Sequence, residues 1–350
     1  MKSSTIFFKR FLFIWALFPI LASSQNDAPP VLPLFEEEDI LNITITTALN
    51  ELLKDREDEA SYHPATITYP SKENQEISLP IRVKVRGNFR RQKSNCDFPP
   101  LMLNFDTLTQ HTVFEGQNKL KLVTHCQSRK AIYDQFVVSE YLVYKMYNQL
   151  TDSSFRVRLV KVTYKDSEGK AEPLERVGFI LEDEGDVAAR MGGRILAVSN
   201  VHPDKTHYEW VNHLSVFQYM IGNTDWSIAE LHNIRLVMIN PAEPPLAVPY
   251  DFDWSGFVNT PYALPNPDLG IVSVRDRLFR GFCRTEEEFE VTFQLFRNKK
   301  ADFFRLINEN PLLEEKTKIA AVRYLEQFYS IIGSERGVEN EFYEKCRTTK

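Results

Sequence analysis

The sequence predicts an α+β chain of two lobes, an antiparallel sheet lobe followed by a helix-rich lobe. Three observations carry this expectation. Ile81, Val83 and Val85 alternate with Arg82, Lys84 and Arg86, the period of two that marks a half-buried strand. Phe289, Phe293, Phe296, Phe303, Leu306 and Ile307 recur instead at helical spacing. The strand-like segments precede the helical ones, which favours segregated layers over a doubly wound sheet.

In chain order, residues 25–36 are Pro-rich and polar and read as a linker. Residues 39–53 carry Ile and Leu at mixed strand and helix spacing, and residues 54–60 are charged. Strand character follows at residues 65–69, 77–86, 101–105 and 119–124. Residues 134–150 place Phe136, Val137, Tyr141, Val143, Tyr144 and Tyr147 at helical spacing without an internal Gly or Pro, so a helix is expected against the sheet. Residues 156–164 and 176–182 return to strands, and residues 208–221 form an amphipathic helix that stops at Gly222 and Asn223. Two short strands, 233–239 and 246–250, flank the turn-forming residues 240–245. Thr285 followed by three Glu reads as a capped helix start, and residues 316–332 form a last helix. The expected organisation is a signal peptide at 1–24, a linker at 25–36, a β-rich lobe with one packed helix at 37–204, and a helix-rich lobe at 205–350.

The 350 residues are 43% hydrophobic and 26% charged, which supports a sizeable core and excludes disorder, collagen and coiled coil for the whole chain. The net charge of −6 argues against nucleic acid as a partner, because counterion release would contribute little. Lys2, Lys9 and Arg10 precede an apolar run over residues 11–22 and then Ser23 and Ser24, the layout of a secretory signal with cleavage before Gln25. Export to a periplasmic, surface or extracellular space is therefore expected, with no transmembrane span after cleavage. Cys96, Cys126, Cys283 and Cys346 suit that setting; an even count permits disulfides, with three full pairings open beside buried free thiols. Cys96 and Cys126 flank neighbouring candidate strands, which favours that pair. With no C-x-x-C and scattered histidines, zinc finds no site, and His207 and His213 are six apart, off a shared helical face.

Chemistry concentrates in two blocks, residues 219–237 and 249–256. A helix ends, a polar loop presents Asp225, the loop closes on Asn233 at a strand start, and a hairpin returns to Asp251 and Asp253. Phosphoryl transfer needs these groups together: a carboxylate that takes or orients the nucleophile's proton, and an amide oxygen with a second carboxylate to hold the Mg²⁺ that bridges ATP phosphates. Asp225, Asn233 and Asp251 supply them in the order in which protein kinases carry them. The bland alternative is a helix cap, a buried structural Asn and an Asp-rich turn.

With Arg86, Gly87 and Asn88, residues 98–105, 119–124 and 178–182, Arg129, and the Asp225–Asn233 and Asp251–Asp253 pairs in view, the chain resembles the spore-coat CotH-type protein kinases over most of residues 80–260. The resemblance implies an atypical kinase-like bilobal fold, ATP and Mg²⁺ as cofactors, and a secreted protein kinase that passes the γ-phosphate to a protein substrate. It implies Asp225 as the catalytic Asp, Asn233 and Asp251 as metal ligands, and Asp253 as a second ligand or orienting group.

The chain departs from that family where a basic residue would face the phosphates: Met102 stands there. Lys119 or Lys121 on the next strand would take over, fixed by an ion pair with Glu182. The basic loop at 86–93 resembles the glycine-containing turn near phosphates, with a solvated hairpin tip as the alternative, and Arg129 at a helix start is a further anion contact. Two other functions stay open: a non-catalytic surface or periplasmic interaction module on a pseudokinase scaffold, and a haloacid-dehalogenase-like phosphatase, suggested by Asp251 and Asp253 after an apolar strand. The latter needs further βα units beyond the motif, whereas the C-terminal hundred residues read as helical.

Overall fold

The computed structural model describes residues 32–106, 109–198 and 200–348. The expected signal peptide and residues 25–31 of the expected linker lie outside the described residues. Pro33–Phe35 form a 3-10 turn in which Leu34 is fully buried.

Seven strands follow: β1 (Leu41–Thr47), β2 (His63–Pro70), β3 (Glu76–Val85), β4 (Leu101–Asn104), β5 (Lys119–Val123), β6 (Val157–Asp166) and β7 (Leu174–Leu181). They close into a barrel in the order β1-β2-β3-β4-β5-β7-β6. Closure rests on β1, which pairs antiparallel with β2 and parallel with β6, in register from Leu41 opposite Val160 to Thr47 opposite Asp166. Alternation sends one side chain in two inward. Ile43, Ile45, Ile67, Val83, Leu101, Leu103, Leu120, Leu122, Val160 and Ile180 thereby fill the interior as one apolar cluster. Each such side chain stabilises the fold by about 1.5–3 kcal/mol.

This architecture corrects the expected fold class. In place of a bilobal kinase-like arrangement with an antiparallel sheet lobe and a helical lobe, the chain forms a closed, mixed seven-stranded barrel with helices packed on it. The physical reason lies in what alternation encodes. A period of two reports which face of a strand is buried and says nothing about whether the sheet's two edges meet. The edge that closes the barrel, β1, has the mixed spacing that hid its pairing with a strand more than a hundred residues away.

The remaining elements are α1 (Leu49–Lys54), α2 (Ile132–Leu150), α3 (Glu184–Arg190), α4 (Tyr208–Met220), α5 (Glu286–Asn308), α6 (Glu315–Ile332) and α7 (Glu335–Val338). A three-stranded sheet, β8 (Arg194–Leu196), β9 (Ile234–Met238) and β10 (Leu246–Pro249), has β9 at its centre with both neighbours antiparallel. One apolar cluster runs from Leu159, Phe179 and Leu181 on the barrel's outer face through Val138 and Leu142 of α2 to Phe217, Phe252, Phe289 and Phe328. Barrel and helices thus share a core. Thr285 and Glu288 form a reciprocal capping box at the start of α5.

Disulfides join Cys96 to Cys126 and Cys283 to Cys346. Among the described residues no helix is long and apolar enough to cross a membrane.

Candidate functional site

The loop after α4 is built by local hydrogen bonding. Gly222, at φ +63°, ends the helix in the left-handed conformation, and a Cβ there would lie 2.0 Å from the Tyr324 hydroxyl, so only glycine fits. The same glycine's carbonyl accepts the Gly256 N–H at 3.0 Å, which draws the segments carrying Asp225 and Asp253 together. Asn223 is buried; its Oδ1 accepts the Asp225 N–H at 3.0 Å and its Nδ2 donates to Gln218 Oε1 at 2.9 Å. Ser227 and His232 exchange two backbone hydrogen bonds of 3.0 and 2.9 Å, returning the chain to where it left.

That return sets His232 and Asn233 against Asp225. The Asn233 side-chain N–H₂ donates to the Asp225 main-chain carbonyl at 2.8 Å and to its Oδ2 at 3.0 Å, while His232 Nε2 lies 2.8 Å from Oδ1. With its nitrogen committed, Asn233 has an Oδ1 that accepts no hydrogen bond among the described residues. The carboxylate of Asp225 raises the His232 pKa, chiefly through this hydrogen bond.

Asn233 leads directly into β9, and its carbonyl accepts the Tyr250 N–H at 3.0 Å, so Asp251 emerges beside it at the hairpin mouth. Both residues are left-handed, at φ +53° and +62°. For side chains other than glycine this conformation costs on the order of 1–3 kcal/mol and concentrates at functional sites. The Tyr144 hydroxyl of α2 accepts the Asp251 N–H at 2.7 Å and helps hold it there. Asp251 is exposed, whereas Asp253 two residues on is buried.

Asp225, Asn233, Asp251 and Asp253 line a cleft of about 580 Å³ whose facing wall comes from the barrel: Arg86, Phe89, Arg90 and Lys121. The basic loop after β3 therefore faces the acidic residues. Gly87 turns it at φ +94°. Lys121 is half-buried, and burial, then the Arg86 charge, lowers its pKa. Arg235 covers Tyr250 at 4.6 Å from the ring centroid and donates to its hydroxyl at 2.6 Å and to Glu184 at 2.5 Å.

Beneath the cleft Asp253 accepts from the Tyr262 hydroxyl at 2.9 Å. Burial, then the Asp251 charge, pushes its pKa up to about 7, and Arg90 opposes the shift. Glu140 of α2, also buried, is raised by burial and then by Asp253 and Asp251. Arg90 binds the Thr124 carbonyl and fronts both acids.

The expected site residues divide. Asp225, Asn233, Asp251, Asp253 and Lys121 come together. Lys119 is exposed at the outer end of β5, opposite Asn104, and Arg129 is exposed; neither lines the cleft. Glu182 does not pair with either lysine. Its two oxygens meet Arg190 at 3.0 and 2.9 Å, and it accepts the Arg156 N–H at 2.8 Å. Met102 sits directly opposite Lys121 across β4 and β5, so the lysine occupies the neighbouring position on the same outer face.

Glu140, Arg235 and His232 were not anticipated as site residues, and Arg90 only as one member of the basic loop at 86–93. Glu140 carried one usable signal, a carboxylate at i, i+4 spacing between Phe136 and Tyr144 on the apolar stripe of α2. Beyond Asp253 the described chain supplies helices and no βα unit, and β10 lies in an antiparallel sheet, which leaves the haloacid-dehalogenase reading without its scaffold.

No family model matches the chain, and no curated protein matches it.

Proposed function

We propose that the cleft binds ATP with Mg²⁺ and transfers the γ-phosphate to a hydroxyl of a protein substrate. The observation that supports this most is the facing of Asp225, Asn233 and Asp251 against Lys121 and Arg86 across one cleft. Asp225 takes the hydroxyl proton; Asn233 and His232 hold its carboxylate in place, and a carboxylate so oriented accepts a proton without first reorganising. Lys121 and Arg86 bind phosphate oxygens, the guanidinium by a two-pronged contact and the ammonium as a point charge.

The donor set fits a nucleotide-borne Mg²⁺. Among the described residues no group of three His, Cys, Asp or Glu side chains is arranged to hold a metal by itself. Mg²⁺ ordinarily takes one or two protein carboxylates and completes its shell with phosphates and water. The Asp251 carboxylate and Asn233 Oδ1 would hold it. When bound, the ion neutralises charge on the β- and γ-phosphates.

A thermal-shift titration tests the reading. ATP with Mg²⁺ at about a hundred times Kd should stabilise the protein by about 2.7 kcal/mol, a rise of several degrees in Tm. ATP without Mg²⁺ should do much less, and no shift under either condition removes the proposal. One observation favours a second reading, a module that binds nucleotide without turnover: Glu182 is committed to Arg190, so Lys121 lacks the ion-pair partner that would fix it. A nucleotide-dependent shift without phosphate transfer would select that reading.

A further inference from the structure

On the far side of the Asp225 loop lies a second pocket of about 200 Å³, walled by Trp226, Arg280, Phe282, Arg347 and His202. Arg280 reaches across the loop from behind. Its Nη1 donates to the main-chain carbonyls of Thr224 and, at 2.7 Å, Trp226, the residues on either side of Asp225. Its guanidinium lies 5.6 Å from the Trp226 ring centroid, and among the described residues its buried Nε has no partner, nor has the Trp226 indole nitrogen.

Arg347 is fixed at the rim by its backbone. Its N–H donates to the Gly281 carbonyl at 2.9 Å, its own carbonyl accepts the Cys283 N–H at 3.0 Å, and the adjacent Cys346 is disulfide-bonded to Cys283. Arg280 and Arg347 thus both line a pocket whose walls carry no carboxylate, close enough for the Arg347 charge to act on Arg280, and among the described residues neither has an acidic partner. Asp225 and Glu230 act on Arg280 only through their fields; burial and the Arg347 charge lower its pKa to about 10. Like charges held together in this way favour an anion between them.

We infer that this pocket binds the carboxylate or phosphate of an acidic side chain on the protein substrate, and that Arg280 thereby couples substrate binding to the position of Asp225. The inference rests on the phosphotransferase reading for the substrate's identity, whereas the pocket's anion preference is independent of it.

The test uses the disulfide-intact protein and a fluorescein-labelled peptide of Glu and Ser, with a Gln and Ser peptide of equal length as control. Anisotropy should show the acidic peptide bound at least tenfold more tightly, and Arg347→Glu should lose that preference. Arg347→Lys should keep part of it, since a cation remains at the rim. Competition by inorganic phosphate or by glutamate then distinguishes the two anions. Arg347→Glu is exposed and outside the cleft, so its ATP–Mg²⁺ thermal shift should match wild type, which also reports folding. Equal affinity for both peptides, or an acidic preference unchanged in Arg347→Glu, overturns the inference. An Arg347-dependent acidic preference without phosphate transfer supports the pocket and removes the phosphotransferase reading. Transfer to both peptides at equal rates does the reverse.

Discussion

Asn233 clasps Asp225 twice, donating to its main-chain carbonyl at 2.8 Å and its carboxylate at 3.0 Å, and so aligns a proton acceptor while its own amide oxygen accepts no hydrogen bond among the described residues. One residue thus serves both halves of the proposed chemistry. Replacing it by Ala removes both contacts, and phosphate transfer should fall by about 10²–10⁴-fold, the range typical of lost acid–base positioning. ATP–Mg²⁺ affinity should weaken in parallel. Steady-state transfer and thermal shift on the same preparation check both.

Lys121 and Glu182 separate in role, contrary to a shared ion pair. Lys121→Met should lower ATP affinity by roughly tenfold with little effect on stability, because burial already disfavours its charge. Lys119→Met should change neither. Glu182→Ala leaves the half-buried Arg190 with only the Asp152 and Ser154 carbonyls as partners and should cost about 1–3 kcal/mol of stability, with nucleotide affinity of the folded protein unchanged. Urea denaturation with and without ATP distinguishes these outcomes.

The Cys96–Cys126 bond anchors the loop that carries Arg86, Phe89 and Arg90 to the cleft wall. It spans 30 residues, for which chain entropy gives about 3–4 kcal/mol. The double Ser variant should lose this stability and also bind ATP more weakly, since the loop is less confined. Both cysteines are buried, so mild reductant should act on the unfolded chain far faster than on the native protein.

Asp134, in the first turn of α2, has its pKa pushed up to about 6, mainly by burial, with Arg176 opposing. The unfolded chain gives up this proton first, near 3.8. The protonated folded form is therefore favoured below that value, and the contribution is lost as pH rises through about 6. Asp134→Asn should be more stable than wild type above pH 6, with the gap closing below pH 4; melting curves across that range check the sign.

Much of the site was legible because it is local. The Gly222 stop, the nine residues from Asp225 to Asn233 and the Asp251–Asp253 turn are each set by neighbours in sequence, and helix and strand periods placed the elements that carry them. Barrel closure was not, because β1 meets β6 through a parallel pairing that no local pattern encodes. Lys119 and Lys121 share one face by alternation, and only the position of the cleft along β5 separates them. Glu182 finds Arg190 one helix later, a choice fixed by the turn into α3 and invisible in the strand itself.

The most direct test of the account compares Asp225→Asn with Asp251→Asn by measuring ATP–Mg²⁺ binding and γ-phosphate transfer on each folded variant. Asp251→Asn should abolish binding and transfer together, because the anionic metal ligand is lost. Asp225→Asn should bind nucleotide nearly as wild type while transfer collapses. Identical nucleotide binding in wild type and Asp251→Asn, or undiminished transfer in Asp225→Asn, would contradict the assignment of the cleft.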